Sequence, residues 1–167
     1  MTRPIVQYGH AVLHRPASPV EAITPDIQTL VDAMIETMHA APGVGLAAPQ
    51  VGIPLRLFVI DLSVGTDPGA ILVCINPTFV AREGLQFEEE GCLSIPGFTA
   101  SVVRPERAAV QALDRNGQTR VIEGRGLLAR ALQHEMDHLD GVLFVDRIRP
   151  SLRRDLLRRF AARRQTV

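Results

Sequence analysis

Gly126-Leu127-Leu128-Ala129-Arg130-Ala131-Leu132-Gln133-His134-Glu135-Met136-Asp137-His138-Leu139 carries apolar residues at helical spacing through Leu127, Leu128, Ala131, Leu132 and Met136, and Gly141 stands where it can end a helix. Within that helix His134 and His138 are four residues apart and share a face, so their imidazoles can converge on one metal ion. Glu135 lies beside the first histidine, where a carboxylate can take a proton from a water activated by the metal and later hand it to a leaving group. The five-residue HExxH pattern is short, and two hydrogen-bonded histidines on a solvated helix face would also produce it. Its position in the middle of the folded region argues against that, because Glu135 and Asp137 are costly to bury without partners and a metal gives a reason to bury them.

A catalytic site of the zinc type takes three protein ligands and leaves one position open. A thermolysin-like site would use a later glutamate, but none follows Glu135. A metzincin pattern would place a third histidine where Phe144 stands. Cys92, in the polar, glycine-flanked segment Glu90-Gly91-Cys92-Leu93-Ser94, is the strongest remaining candidate, since a thiolate suits zinc or ferrous iron. The other cysteine, Cys74, has the apolar neighbours of a buried strand residue and reads as packing. His10 and His14 enclose no acid and lie close to Pro16, which suits a loop, while His39 suits the negative end of a helix dipole.

Working outward, Thr24-Pro25-Asp26 opens a helix expected to reach about Ala40, with Ile27, Leu30, Val31, Met34, Ile35 and Met38 on its apolar face. Gly43 to Gly52 holds too many Gly and Pro residues for a regular element and reads as a shaped loop, in which Gly allows close approach of a substrate backbone and Gln50 offers an amide donor towards the metal. Gly43, Gly45 and Ala48 fit a dinucleotide-binding loop only poorly, because a helix and Pro42 precede them where a strand is required. Strands are expected over Leu55 to Leu62 and Ile71 to Ile75, the latter bounded by Pro77, and a hairpin pairs Ala108 to Leu113 with Thr119 to Glu123. Ser151 can cap a last helix, over about 150–165, with Leu152, Leu156, Leu157 and Phe160 opposite its arginines. The expected fold is α+β, with antiparallel or mixed sheets around a central helix bearing the metal motif and a C-terminal helix, in one domain over 1–167.

Hydrophobic residues make up 46% and charged residues 22% of the chain, which excludes a disordered or membrane-embedded class. All eighteen basic residues are arginine, and seven of them crowd the last nineteen residues against the lone acid Asp155. Such a stripe attracts polyanions at long range, although a solvated helix face is the commoner explanation. No secretory signal or transmembrane run is present, so the expected location is the cytoplasm, with no membrane partner.

With Cys92 and the His134–His138 helix in place, the sequence resembles peptide deformylase. Gly43-Val44-Gly45-Leu46-Ala47-Ala48-Pro49-Gln50, Glu90-Gly91-Cys92-Leu93-Ser94 and His134-Glu135-Met136-Asp137-His138 are similar to that family's three motifs in order and spacing, over nearly the whole chain. The resemblance implies hydrolysis of a linear amide. Metal-bound water, aided by Glu135, attacks the formyl carbon of the N-terminal formyl-methionine of a nascent polypeptide and releases formate. Gln50 and the backbone N–H of Leu93 would stabilise the oxyanion, and Val44, Gly45, Leu127 and Ala131 would contact the substrate, with the His134 ring walling the methionine pocket. Glu90 and Arg104 would form an ion pair that orients the Cys92 segment.

The resemblance favours ferrous iron in a bacterial cell, and zinc, nickel or cobalt also suit one thiolate and two imidazoles. It likewise implies that the basic C-terminal helix faces the ribosome, and the default oligomeric state is a monomer. Thr99 departs from the pattern, standing where some deformylases carry an arginine that steadies the peptide. Two rivals remain open at this point: a metal peptidase using the same ligands, and an RNA-associated module with a structural metal. Activity on formyl-methionyl peptides but not internal amides separates the first, and an open coordination position separates the second.

Overall fold

The structure is a computed structural model that describes residues 1–165. Helix α1 spans Pro25–Ala40, with the Thr24 hydroxyl accepting from the Ile27 N–H and Pro25 in the first turn. Helix α2 spans Gly126–Leu139 and helix α3 Pro150–Gln165. Strands β1 (Gly45–Ala47), β2 (Leu57–Ile60), β3 (Leu72–Glu83), β6 (Arg107–Leu113) and β7 (Thr119–Arg125) form an antiparallel sheet in the order β1-β2-β3-β6-β7. Among the described residues, strands β4 (Gln86–Cys92) and β5 (Ile95–Arg104) pair only with each other. The fold is α+β, as the sequence led us to expect.

The five-stranded sheet is covered on both faces. Because strand side chains alternate, Leu57 and Val59 pack with α1 residues Val31, Met34 and Met38, while Phe58 and Ile60 pack with α2 residues Leu132, Met136 and Leu139. All four β2 residues are buried, which explains the unbroken apolar run of this strand. Each large side chain so buried contributes about 1.5–3 kcal/mol. Cys74 is fully buried among the α2-side residues and is a packing residue. A third core joins the β4–β5 hairpin to the amino-terminal segment and α3 through Leu13, Ile95, Val102, Phe144, Leu156 and Phe160.

Several boundaries differ from expectation. β3 runs past Pro77 to Glu83, because the ladder to β6 shifts register between Ile75 and Thr78, with Asn76 at φ 51°, and that irregularity absorbs the missing proline N–H. The stretch read as a loop from Gly43 to Gly52 holds β1 and a 3₁₀ turn over Ala48–Val51. Leu55 leaves β2 and bridges in parallel to Ser18. On α3 the apolar stripe narrows to Leu156, Leu157 and Phe160, since Leu152 is 45% exposed.

The α3 arginines do not all face away from the protein, as the sequence reading had supposed: Arg153 donates to Asp146 and to the Tyr8 hydroxyl, and Arg164 to the Tyr8 carbonyl. His39 does more than meet a helix dipole, for its Nε2 lies 2.7 Å from the buried Asp61 carboxylate. His10 and His14 serve the local backbone, accepting from Val12 N–H and Gly9 N–H. Thr166 and Val167, the end of the expected 1–167 unit, lie outside the described residues.

Candidate metal centre

Helix α2 crosses the sheet with one turn, His134 to His138, aimed at the tip of the β4–β5 hairpin, and the three candidate ligands meet there. Cys92 Sγ lies 3.3 Å from His138 Nε2, and the Nε2 atoms of His134 and His138 are 3.1 Å apart. The donor atoms of Cys92, His134 and His138 all lie within 4.8 Å of one another. Neutral imidazole lone pairs facing each other at that distance repel unless a cation or proton lies between them. A divalent ion satisfies that need, and one sulfur with two nitrogens is a donor set it accepts. The residues fit the metal.

What aims the ring of His134 is Glu90. His134 Nδ1 is 2.6 Å from Glu90 Oε2, which leaves Nε2 turned towards the donors. Glu90 also takes both Nε and Nη2 of Arg104, each at 2.7 Å, and Nη1 of Arg130 at 2.7 Å. Burial opposes a charge on Glu90, but the hydrogen bonds from Arg104 and His134 outweigh it and hold the carboxyl well below the usual carboxylate range. The Glu90–Arg104 pair expected from the sequence is therefore present, and it holds a histidine as well as the cysteine-bearing strand.

Three members of this network were missed. Arg130 lies four residues before His134 on α2, and an arginine one turn before the first ligand, on the face that also bears Asp137, was the available signal. Gln86 accepts from Arg130 Nε at 3.0 Å and donates to the carbonyls of Pro105 and Gly126, a tertiary arrangement with no sequence signal. Asp137 is bound by Arg104 and Arg147. Those arginines, not a metal, explain its burial, which corrects the sequence argument.

Cys92 ends β4 at an irregular step, and Ser94 N–H and Gln50 Nε2 both reach its sulfur, at 3.4 and 3.6 Å. Gln50 is held so that its amide nitrogen faces the centre: Oε1 accepts from Ala47 N–H at 3.0 Å while Nε2 donates to Ser94 Oγ at 3.2 Å. Glu135 is 3% exposed, and its Oε1 makes no hydrogen bond with any described residue, as is also true of His138 Nδ1. Burial pushes the Glu135 carboxyl up to about 7, with the neighbouring His134 charge opposing the rise.

Gln50, Cys92, His134 and Glu135 line a cavity of about 430 Å³ whose walls also include Val44, Gly45, Leu93, Leu127 and Ala131. All four residues expected to contact substrate thus border it, with Leu127 half exposed at the mouth. Thr99 borders it too and gives its hydroxyl to Glu89. Among the described residues, no helix is long and apolar enough to cross a membrane.

An α+β frame that brings a thiol and two imidazoles together beside an unpartnered buried carboxylate, at the edge of a cavity, defines a metal-dependent hydrolase. The model of the polypeptide deformylase family matches residues 2–154. A peptide deformylase of Acidobacterium capsulatum is 52% identical over 159 residues, covering 95% of this chain and 93% of that relative. The crystal structure of a peptide deformylase from Legionella pneumophila superposes with a TM-score of 0.94 at 43% identity, covering 99% of this chain and 97% of the other. One from Synechococcus elongatus, in complex with actinonin, gives 0.86 at 46% identity over 89% and 82%. The chain belongs to the polypeptide deformylase family. It is a hydrolase of protein biosynthesis whose metal-dependent reaction removes the N-formyl group from formylated nascent peptides.

Proposed function

We propose that Cys92, His134 and His138 hold the divalent ion and that Glu135 moves the protons of the deformylation of N-terminal formyl-methionine, with formate as product. The observation that carries this reading is the burial of the Glu135 carboxylate beside the three donors, with Oε1 left without a hydrogen bond. A divalent ion at these donors supplies Lewis acidity and makes a water nucleophilic near neutral pH. Glu135 takes a proton from the attacking water and returns it to the departing amine nitrogen. Gln50 Nε2, fixed by Ala47 and Ser94, and the backbone N–H of Leu93 donate to the formyl oxygen as its charge grows, each worth about 2.7–4 kcal/mol. Val44, Gly45, Leu127 and Ala131 receive the methionine side chain, whose flexible thioether suits an apolar wall. Glu90 and Arg104 orient His134 and the hairpin.

The ion is ferrous iron in the cell, with zinc, nickel or cobalt able to occupy the same donors. The chain acts as one catalytic unit and as a monomer in the bacterial cytoplasm, with the arginine-rich α3 towards the ribosome. The test is formate release from a short formyl-Met peptide by protein prepared without oxygen and loaded with ferrous iron or nickel. Glu135→Gln should keep its metal and lose turnover; turnover at the parental rate removes Glu135 from its role. Deleting residues after Pro150 should weaken ribosome binding most visibly at low salt, and equal binding with and without them removes the α3 assignment.

A further inference from the structure

Four residues, 41–44, connect α1 to β1, and the last two of them, Gly43 and Val44, border the catalytic cavity. The β1–β2 ladder begins at Gly45, opposite Ile60, and so fixes the main chain that lies against Glu135. Val44 stands one step beyond it, where its carbonyl accepts from the Asp61 N–H at 2.8 Å. On the other side, Gly43 N–H donates to the Met38 carbonyl at 2.9 Å, in the last turn of α1. Asp61 is fully buried, and its carboxylate takes Ser63 N–H at 2.9 Å, the Ser63 hydroxyl at 2.6 Å, Gly65 N–H at 2.9 Å and His39 Nε2 at 2.7 Å. Three of these four donors belong to the loop itself, and His39 ties it to α1. Wrapping 61–65 about one carboxylate holds Val64 at φ 52°, a left-handed backbone that a β-branched residue adopts only where its surroundings dictate it. The His39 ring lies against the same loop, where a β-carbon on Gly65 would be 3.6 Å away. Neither His39 nor Asp61 borders the cavity.

We propose that His39 is a positioning residue for methionine recognition: through Asp61 it sets the place of Val44, and with it the shape of the wall that meets the methionine side chain. The inference rests on the reading of Val44 as part of that wall. Its side chain is 28% exposed, so the position can be varied without opening a core.

The experiment measures kcat and KM for formate release from formyl-Met-Ala amide and from formyl-Ala-Ala amide, which offers the wall only a methyl group. The proteins are the nickel-loaded parent, His39→Leu, His39→Gln, Val44→Ala and the double variant H39L/V44A, with bound metal measured in each. Leucine fills the space but cannot donate to Asp61, whereas the glutamine amide can. In His39→Leu, KM for the Met peptide should rise about tenfold while kcat holds, because Gly45 stays in its ladder beside Glu135. The Ala peptide and the metal content should not change, and His39→Gln should return KM to the parental value. On the Val44→Ala background, His39→Leu should add nothing further, as expected of a residue that acts through Val44. An unchanged KM in His39→Leu, a loss shared by both peptides, no rescue by glutamine, or an additive double variant each overturn the proposal. Val44→Ala keeps the two readings apart. If it loses the preference for Met while His39→Leu keeps it, the role of His39 alone falls; if it keeps that preference, Val44 is not the wall and the proposal falls with it.

Discussion

A β-carbon on Gly45 would stand 2.5 Å from Glu135 Oε2, closer than non-bonded atoms approach. The main chain of β1 is thus the wall against which the buried carboxylate rests. Gly45→Ala should displace Glu135 by a fraction of a side-chain width and reduce kcat by about a hundredfold, with bound metal unchanged. Gly45 is not among the residues of positive φ, so backbone strain does not cloud the result. Steady-state formate release alongside metal analysis checks it; an unchanged kcat would show that Glu135 needs no fixed position.

Glu90 holds one histidine and two arginines, all nearly excluded from solvent. Glu90→Gln leaves two buried cations facing a neutral amide. We expect a metal affinity about 10–100-fold weaker and a loss of about 3–5 kcal/mol in stability. Competition with a chromophoric chelator reads the first and urea unfolding the second. If affinity holds while stability falls, the network serves the fold alone.

Asp61 is buried and accepts from Ser63 N–H, the Ser63 hydroxyl and Gly65 N–H, with His39 Nε2 at 2.7 Å. The Ser63 hydroxyl contributes most to lowering its carboxyl to about 2; burial opposes the shift, and His39 adds to it. The unfolded chain therefore binds the proton more readily. The stability Asp61 contributes is complete above the ordinary carboxylate range, near 4, and is lost as pH falls towards about 2. Asp61→Asn should unfold at lower urea than the parent at pH 7, and the difference should narrow towards pH 2. A gap constant with pH would mean that shape, not charge, is what Asn fails to supply.

Chelation should abolish turnover, and adding nickel or cobalt should restore it. With cobalt, a thiolate ligand gives a charge-transfer absorption band. That band should be absent in Cys92→Ser and present in Cys74→Ser, whose side chain is buried against α2 instead. A band that survives in Cys92→Ser would move the sulfur ligand elsewhere.

Helices α1 and α2 were legible because their caps and apolar spacing agree with what packs against them: Thr24 caps, and Val31, Met34 and Met38 are buried. The ligand pair on α2 and the cysteine at the hairpin tip could be read from residue type and spacing. The hairpin that carries the cysteine could not. Its inner face bears Gln86, Glu90 and Arg104 beside the buried Val102, while Phe87 and Val103, paired across the strands, are 65% and 57% exposed. That polarity is inverted relative to an ordinary half-buried sheet, so the alternation that marks a strand points the wrong way. Gln86 was illegible for a related reason: it is explained only by partners distant in the chain.

Glu90 and Cys92 sit two apart on β4, so one pleat face presents both the carboxylate that steadies His134 and the sulfur beside it. Parity thereby becomes a constraint on how this gene can change. An insertion of one residue between Glu90 and Cys92 would turn one of the two outward, whereas an insertion of two keeps both facing α2. Relatives with a longer segment between this carboxylate and the cysteine should therefore differ there by even numbers of residues, or shift the irregular step that precedes the cysteine.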